Sequence, residues 1–328
     1  MPRRTWILLT AAWLAVAAVL LAWLVRTPAG LLREHLKTLQ FWSLEICVLV
    51  GLALGIVTLR DLGRRLTRAD WFRMTVLAAA ALCLTVFVAP RTNRIYYDEQ
   101  IYQSIGQNMA ALKLAQMCND GNVEYGRLQC GSGEYNKQPY AYPHMLSLAY
   151  RAFGVHETTA FVVNAVAMAL TVCAVYLLVL ILFGDRVAAF FAGLLMALIP
   201  HQLLWSATAA VEPSASLAAV AALLCAAHFI RGGRTSALAG AGVAAAYAVQ
   251  FRPESFLIVP VIFLLLCTSG TRGELDRPRL WWVALLSFAL VAVHIGHMFA
   301  VRNEGWGTSE ARLSLQYLGT NLGVNGWF

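Results

Sequence analysis

Nine mostly apolar stretches run along the chain, at 6–25, 41–59, 74–89, 158–183, 187–204, 214–230, 236–250, 256–268 and 280–300. Each approaches the ~20 apolar residues that carry a helix across a bilayer, and the shorter ones suit positions inside a bundle. The pattern therefore predicts about nine membrane spans. The first stretch follows Arg3 and Arg4 as a signal peptide would. Its apolar core is long and no small-residue cleavage site follows cleanly, so it reads as a signal anchor. The longest polar segment, 90–157, lies between the third and fourth stretches. Within it Ile101, Ile105, Met109 and Leu112 recur at four, four and three residues, with Gln100, Gln103, Gln107 and Asn108 mainly off that line. This predicts an amphipathic helix suited to the membrane surface.

Composition agrees. The 328 residues are 59% hydrophobic and 13% charged, with a mean hydropathy of +0.64. No soluble domain hides that much apolar surface, so the expected class is all-α, a polytopic transmembrane bundle. The net charge of +8 could suggest nucleic acid, but its distribution argues otherwise. With the N-terminus in the cytoplasm, the cytoplasmic segments hold Arg3, Arg4, Arg60, Arg64, Arg65, Arg68, Arg73, Arg186, Arg231, Arg234, Arg272, Arg277 and Arg279. They hold only Asp61, Asp70, Asp185, Glu274 and Asp276 as acids. The positive-inside rule accounts for the excess, and no nucleic-acid partner is expected. Only the outer loop 26–40, with Arg26, Arg33 and Lys37, runs against this orientation. Loop 90–157, the turns at Glu212 and Glu254, and the tail 301–328 then lie outside. Cys118 and Cys130 share the outer loop and can form a disulfide there. The other five cysteines lie in or beside apolar runs, as small hydrophobes do.

Candidate chemistry concentrates on that outer side. Asp98 and Glu99 open the amphipathic helix in "RIYYDEQIYQSIGQNMA". Either can serve the helix N-terminus, and either can hold a proton. Lys137 stands in the Tyr- and Pro-rich "NKQPYAYPHM". A lysine there anchors to lipid phosphate or neutralises a phosphate leaving group. Glu212 precedes Pro213, a first-turn proline that starts a helix. In "QFRPESF", Arg252 and Glu254 flank a proline and can close the bundle as an ion pair. His294 and His297 are weak metal evidence and suit interhelical hydrogen bonds, with His201 near an outer helix end. Glu45 lies inside a span and must face protein or water. No P-loop, GxGxxG, zinc-ligand spacing or nucleophile elbow is present.

These positions together resemble the GT-C glycosyltransferases, in particular the bacterial branch related to protein O-mannosyltransferases (family 39) and the lipid A aminoarabinose transferase. "YYDEQIY" at 96–102 looks like that family's acidic pair in its first large outer loop. "NKQPYAYP" at 136–143 is similar to its Lys-Pro-Pro turn, with Gln138 in place of the first proline. "AAVEPSASL" at 209–217 and "VQFRPES" at 249–255 match its second acid and its Arg-Pro-Glu turn. The resemblance implies a seven-helix core over 71–300 with interfacial helices in loop 90–157. Two added helices and a basic loop precede it at 1–70, and a tail, 301–328, is expected to continue into further spans.

The same resemblance implies a multi-pass protein of the bacterial inner membrane with its active site on the extracytoplasmic side. It implies transfer of a sugar from a polyprenyl phosphate to a protein, lipid or glycan acceptor, with inversion and with no cofactor or metal. Asp98 is then the general base and Glu99 its orienting neighbour. Lys137 and Arg252 meet the phosphate, and Glu212 binds acceptor or sugar. Tyr97, Tyr102, His144 and Glu254 complete the substrate-binding candidates. The rival expectations are a lipid-linked sugar transporter or flippase, and a non-catalytic scaffold with the same fold. A transporter should carry interrupted helices or ionisable groups near the midplane.

Overall fold

A computed structural model describes residues 3–93, 98–124, 127–232, 234–268 and 278–304, with the isolated residues 319 and 323. Two helices open the chain, α1 (Arg3–Arg26) and α2 (Ala29–Gly63), and α3 (Arg68–Phe87) follows. The outer segment contains α4 (Asp98–Leu112), a hairpin of β1 (Met117–Glu124) and β2 (Arg127–Glu134), and α5 (Ala141–Phe153). Then come α6 (Glu157–Phe183), α7 (Arg186–Leu198), α8 (Pro200–Ser206), α9 (Glu212–Ile230) and α10 (Thr235–Val249). A short 3-10 turn at Pro253–Leu257 leads into α11 (Ile258–Thr268), and α12 (Pro278–Ala300) is the last helix of the described residues.

Five of these helices, α2, α3, α6, α9 and α12, are long and apolar enough to cross a membrane. A sixth span results if α7 and α8, bent by 61°, count as one; Pro200 starts α8 and breaks the 187–204 stretch. The other predicted spans are shorter apolar helices. Along α2, Ile46, Leu49, Leu52, Ile56 and Leu59 are exposed at intervals of three or four residues. Such a stripe faces lipid in a multi-pass membrane protein and would be unsatisfied in water.

The structure corrects three expectations, of which two concern segment 26–40 and the hairpin and the third the face of α4. Segment 26–40 is not a loop, because α2 begins at Ala29. Its 35 residues span about 52 Å, well beyond a ~30 Å hydrocarbon core. The overhang is amphipathic, with Leu32 and Leu36 buried against the outer helices. Arg33 ties it to the end of α12, donating to Ala300 O at 3.0 Å and pairing with Glu304. The outer loop also contains an antiparallel hairpin pairing Met117 with Glu134 and Glu124 with Arg127. A disulfide joins Cys118 and Cys130 across it.

Close helix contacts rely on small residues. Ala222 of α9 and Ala245 of α10 share one buried cluster, and Ala226, Ala227 and Ala241 on the same two helices are also buried. A second core joins α3, α6 and α7 around Leu77, Met168 and Val172. The third lies at the outer end, where Ile101, Ile105 and Met109 of α4 face Tyr142, Leu146 and Tyr150 of α5. Gly106 permits this approach, since a Cβ there would stand 3.0 Å from Leu146 Cβ and 3.1 Å from Pro143 O. The predicted stripe is therefore covered by protein along most of its length, and only Leu112 at its end is exposed.

Candidate active site

The outer core supports two groups of polar side chains. The first is built where α4 starts. Asp98 is the first residue of α4 and is exposed, while Glu99 beside it is buried. The Asp98 carboxylate accepts from Gln138 Nε2 at 3.0 Å. The other end of the same amide, Gln138 Oε1, lies 3.4 Å from the Tyr102 hydroxyl, which donates to it. A carboxylate can only accept and a phenol readily donates, so these two partners fix the orientation of the amide. Tyr102 packs edge-on against Tyr142, with ring centroids 5.5 Å apart.

The turn that presents Gln138 and Lys137 is locked from several sides. Gln138 N donates to Asn136 Oδ1 at 2.9 Å. The Tyr140 hydroxyl donates to Asn136 O and accepts from Asn136 N. From α12, His297 Nε2 donates to Lys137 O at 3.2 Å. The same ring accepts at Nδ1 from the Tyr135 hydroxyl at 2.9 Å, as the neutral Nε2-protonated tautomer does. Burial pushes the Tyr135 and Tyr140 phenols well above their usual range, so both stay protonated donors. His294 stacks on His297 at 5.4 Å. The two histidines thus serve packing and hydrogen bonding between α12 and the turn. Among the described residues no group of three or more His, Cys, Asp or Glu side chains is placed to hold a metal ion.

The second group lies where α9 starts. Arg252 donates to Glu212 at 2.7 Å and lies 3.5 Å from Glu254. The three line an open cavity of about 440 Å³ with Gln202, Ser216 and Ser255. Glu212 is positioned by a buried residue within an apolar span. Asn164 of α6 donates to Thr208 O at 2.7 Å and Ala210 O at 2.6 Å, and accepts from Ser214 at 3.0 Å. These bonds shape the segment between α8 and α9. The two groups share one framework, because Ala141 N donates to Gln250 O and the Tyr247 hydroxyl to Ala141 O.

Two other residues singled out in the sequence occupy a different setting. His144 is buried and bonded through Nε2 to Glu45 at 2.9 Å. Arg151 completes the cluster, donating to both Glu45 oxygens at 2.9 and 3.3 Å. Glu45 thereby acquires the protein partners that its place in a span demands, and α2 is clamped to α5. Burial pulls the His144 imidazole down to about 4, with Glu45 opposing that shift. Tyr97 lies outside the described residues. The sequence alone did not single out Gln138 and Asn164 as positioning groups, and the hydrogen bonding expected of His297 goes to the turn rather than to another helix. The one available signal was polarity out of place, an Asn and a His inside apolar helices and a Gln where the resembled turn has Pro.

Residues 137–297 match the family model described as dolichyl-phosphate-mannose-protein mannosyltransferase. That segment contains Lys137, Gln138, Glu212 and Arg252, whereas Asp98 and Glu99 precede it. Among solved structures, the chain is similar to the Archaeoglobus fulgidus oligosaccharyltransferase tethered with an acceptor peptide containing the NVT sequon via a disulfide bond. The identity is 15%, over 80% of this chain and 35% of that one, at a TM-score of 0.49. The chain thus spans about a third of the length of that protein. No curated protein matches significantly.

Proposed function

We propose that this chain is a glycosyltransferase of the GT-C type that moves a sugar from a polyprenyl phosphate to a hydroxyl-bearing acceptor at the end of the bundle that carries Asp98. The matched family is described by dolichyl-phosphate-mannose, and a polyprenyl-phosphate sugar is the corresponding donor class. The acceptor is a protein, lipid or glycan. The arginines Arg60, Arg64, Arg65, Arg68, Arg186, Arg231 and Arg234 gather at the opposite helix ends. The Asp98 end is therefore read as extracytoplasmic, in the inner membrane of a bacterium.

The observation that carries this reading is the Gln138–Asp98 contact beside Lys137. It supports the reading because an exposed, oriented carboxylate at the start of α4 is held by the residue that follows Lys137 in the turn. The acceptor oxygen attacks the anomeric carbon while its proton passes to Asp98. The bond from that carbon to the phosphate oxygen breaks on the opposite side, giving inversion. Lys137 receives the charge that develops on the departing polyprenyl phosphate, with Arg252 as a second cation. Glu212 holds Arg252 and faces sugar or acceptor. Glu99, buried beside Asp98 in the first turn of α4, orients the base or the acceptor. Holding both substrates in one orientation supplies much of the remaining acceleration.

The test is transfer from a radiolabelled polyprenyl-phosphate sugar in proteoliposomes, comparing the wild type with Asp98→Asn. Transfer by the wild type, with a loss of about 10²–10⁴-fold in a folded variant, is the expected result. Equal transfer by both removes Asp98 as base. No transfer by the wild type with any sugar and acceptor tried overturns the reading.

A further inference from the structure

At the end of the bundle opposite Asp98, three arginines from separate segments converge on one cavity of about 400 Å³. Arg65 follows α2, Arg186 starts α7 and Arg231 follows α9. Each guanidinium is fixed along part of its edge. Arg65 donates to the carbonyls of Arg231 and Gly232 at 3.3 and 3.5 Å. Arg186 donates through Nε to Asp70 at 2.9 Å. Arg231 donates to Leu182 O. A guanidinium has five N–H donors, and all three side chains remain substantially exposed, Arg65 at 48% and Arg186 at 45%.

The charges do not cancel. Asp70 is fully buried behind Arg186 and also lies 3.6 Å from Arg73. Asp61 is shared between His228 at 3.0 Å and Arg65 at 4.0 Å. Against these two and Asp185, which caps α7, stand Arg65, Arg73, Arg186 and Arg231, and none of the three carboxylates lines the cavity. Buried His228, bonded to Asp61, also lines it, and the rest of the lining is apolar or glycine. Leu62, Leu66, Leu180 and Ile181 form the wall, and Phe183 at the mouth is 74% exposed.

A cationic floor beside an apolar wall, at the level where α2, α6 and α9 all end, matches one ligand chemistry. We propose that this cavity binds the headgroup phosphate of an anionic phospholipid, with its acyl chains against Phe183 and Leu66. The surplus charge favours an anionic over a zwitterionic headgroup, and the apolar wall favours a lipid over a free anion. The site is separate from the proposed transfer reaction and does not rest on it. A bound lipid here would join the ends of α2, α6, α7 and α9 on the face away from Asp98.

The experiment is native mass spectrometry on the full chain in detergent, titrated with phosphatidylglycerol, cardiolipin or phosphatidylcholine. The test variant is Arg65→Gln with Arg231→Gln, leaving Arg186 to satisfy buried Asp70. The control is Arg64→Gln with Arg68→Gln, which removes the same charge from exposed positions off the cavity. The expected result is retention of anionic lipid by wild type and control, with affinity weakened roughly tenfold to thirtyfold in the test variant. If the double variant does not fold, single Arg65→Gln is read against Arg64→Gln in the same way. Three outcomes overturn the proposal. They are equal retention of phosphatidylcholine, an equal loss in the control, and displacement of the lipid by millimolar inorganic phosphate, which would make this a free-anion site.

Discussion

Asp70 and Asp98 each sit in the first turn of a helix, where an acid complements unpaired backbone N–H groups. Their surroundings are opposite. Asp70 closes a capping box with Thr67 and is wholly buried, and its two oxygens also take bonds from Tyr176 at 2.8 Å and Arg186 at 2.9 Å. Every lone pair is committed, and the group ties α3 to α6 and α7. Asp98 is exposed and held by one long side chain, Gln138. An acid whose acceptor sites are saturated by protein has no capacity left for a substrate proton. One that is oriented but open retains it. Glu45 repeats the saturated pattern, with His144 and Arg151 on its oxygens.

The comparison breaks most decisively if the two aspartates exchange phenotypes. Asp98→Asn is expected to lower transfer by about 10²–10⁴-fold with little change in melting temperature. Asp70→Asn is expected to cost about 1–3 kcal/mol of stability by leaving Tyr176 and Arg186 poorly matched. Its transfer rate per folded molecule should stay near that of the wild type. Thermal melts together with proteoliposome assays on both variants separate the effects. A stable Asp70→Asn protein with no transfer would undo the assignment.

Gln138 comes next in size. Removing its amide by Gln138→Ala leaves Asp98 in place but unoriented, and a loss of roughly tenfold in transfer is expected. Gln138→Pro restores the resembled Lys-Pro-Pro turn yet deletes the donor, so it should behave like the alanine variant. Gln138→Glu places a second carboxylate beside Asp98. Like charges favour protonation, so the acidic limb of the pH–rate profile should move to higher pH. An unmoved limb would separate Gln138 from the proton-transferring group.

Much of the bundle was legible because hydropathy and helical spacing are local properties. The third to ninth apolar stretches became helices, Pro213 falls in the first turn of α9, and Asp98 opens α4. What escaped depends on distant contacts. The overhang of α2 reads as a loop because Arg33, Glu34 and Lys37 interrupt its apolar run. It is helical because Leu32 and Leu36 are buried by the outer helices. The hairpin sequence "CNDGNVEYGRLQCGSG" is rich in Gly and Asn and poor in β-formers. Gln138, Asn164 and His297 show their roles through the partners of their side chains, 36 or more residues away.

A smaller effect concerns His144, the buried neighbour of Glu45 and Arg151. Its imidazole falls from an ordinary 6.5 to about 4 on burial. Between those values the unfolded chain binds a proton that the folded chain excludes. The stabilisation is therefore complete above pH 6.5 and lost as pH falls toward 4, by up to about 3 kcal/mol. Melting temperature measured from pH 7 to pH 4 should drop for the wild type. The slope should be shallower for His144→Gln, which keeps a donor for Glu45. Identical slopes would assign the acid sensitivity to another group.

The smallest expected effect tests whether exposure alone could have picked out Asp98. Glu254 is 70% exposed, also stands in the first turn of a helix, and faces the same cavity as Glu212. Its cationic neighbour Arg252 is 3.5 Å away and already donates to Glu212 at 2.7 Å. An exposed pair of that kind contributes at most about 1 kcal/mol. Glu254→Gln should therefore change both melting temperature and transfer only slightly, within about threefold. Glu212→Gln removes the short partner that holds the Arg252 guanidinium in place, so its effect on transfer should be the larger of the two. If Glu254→Gln were as damaging as Asp98→Asn, openness to solvent would be the common factor. Orientation by a neighbouring side chain would then lose its claim to distinguish the reactive carboxylate.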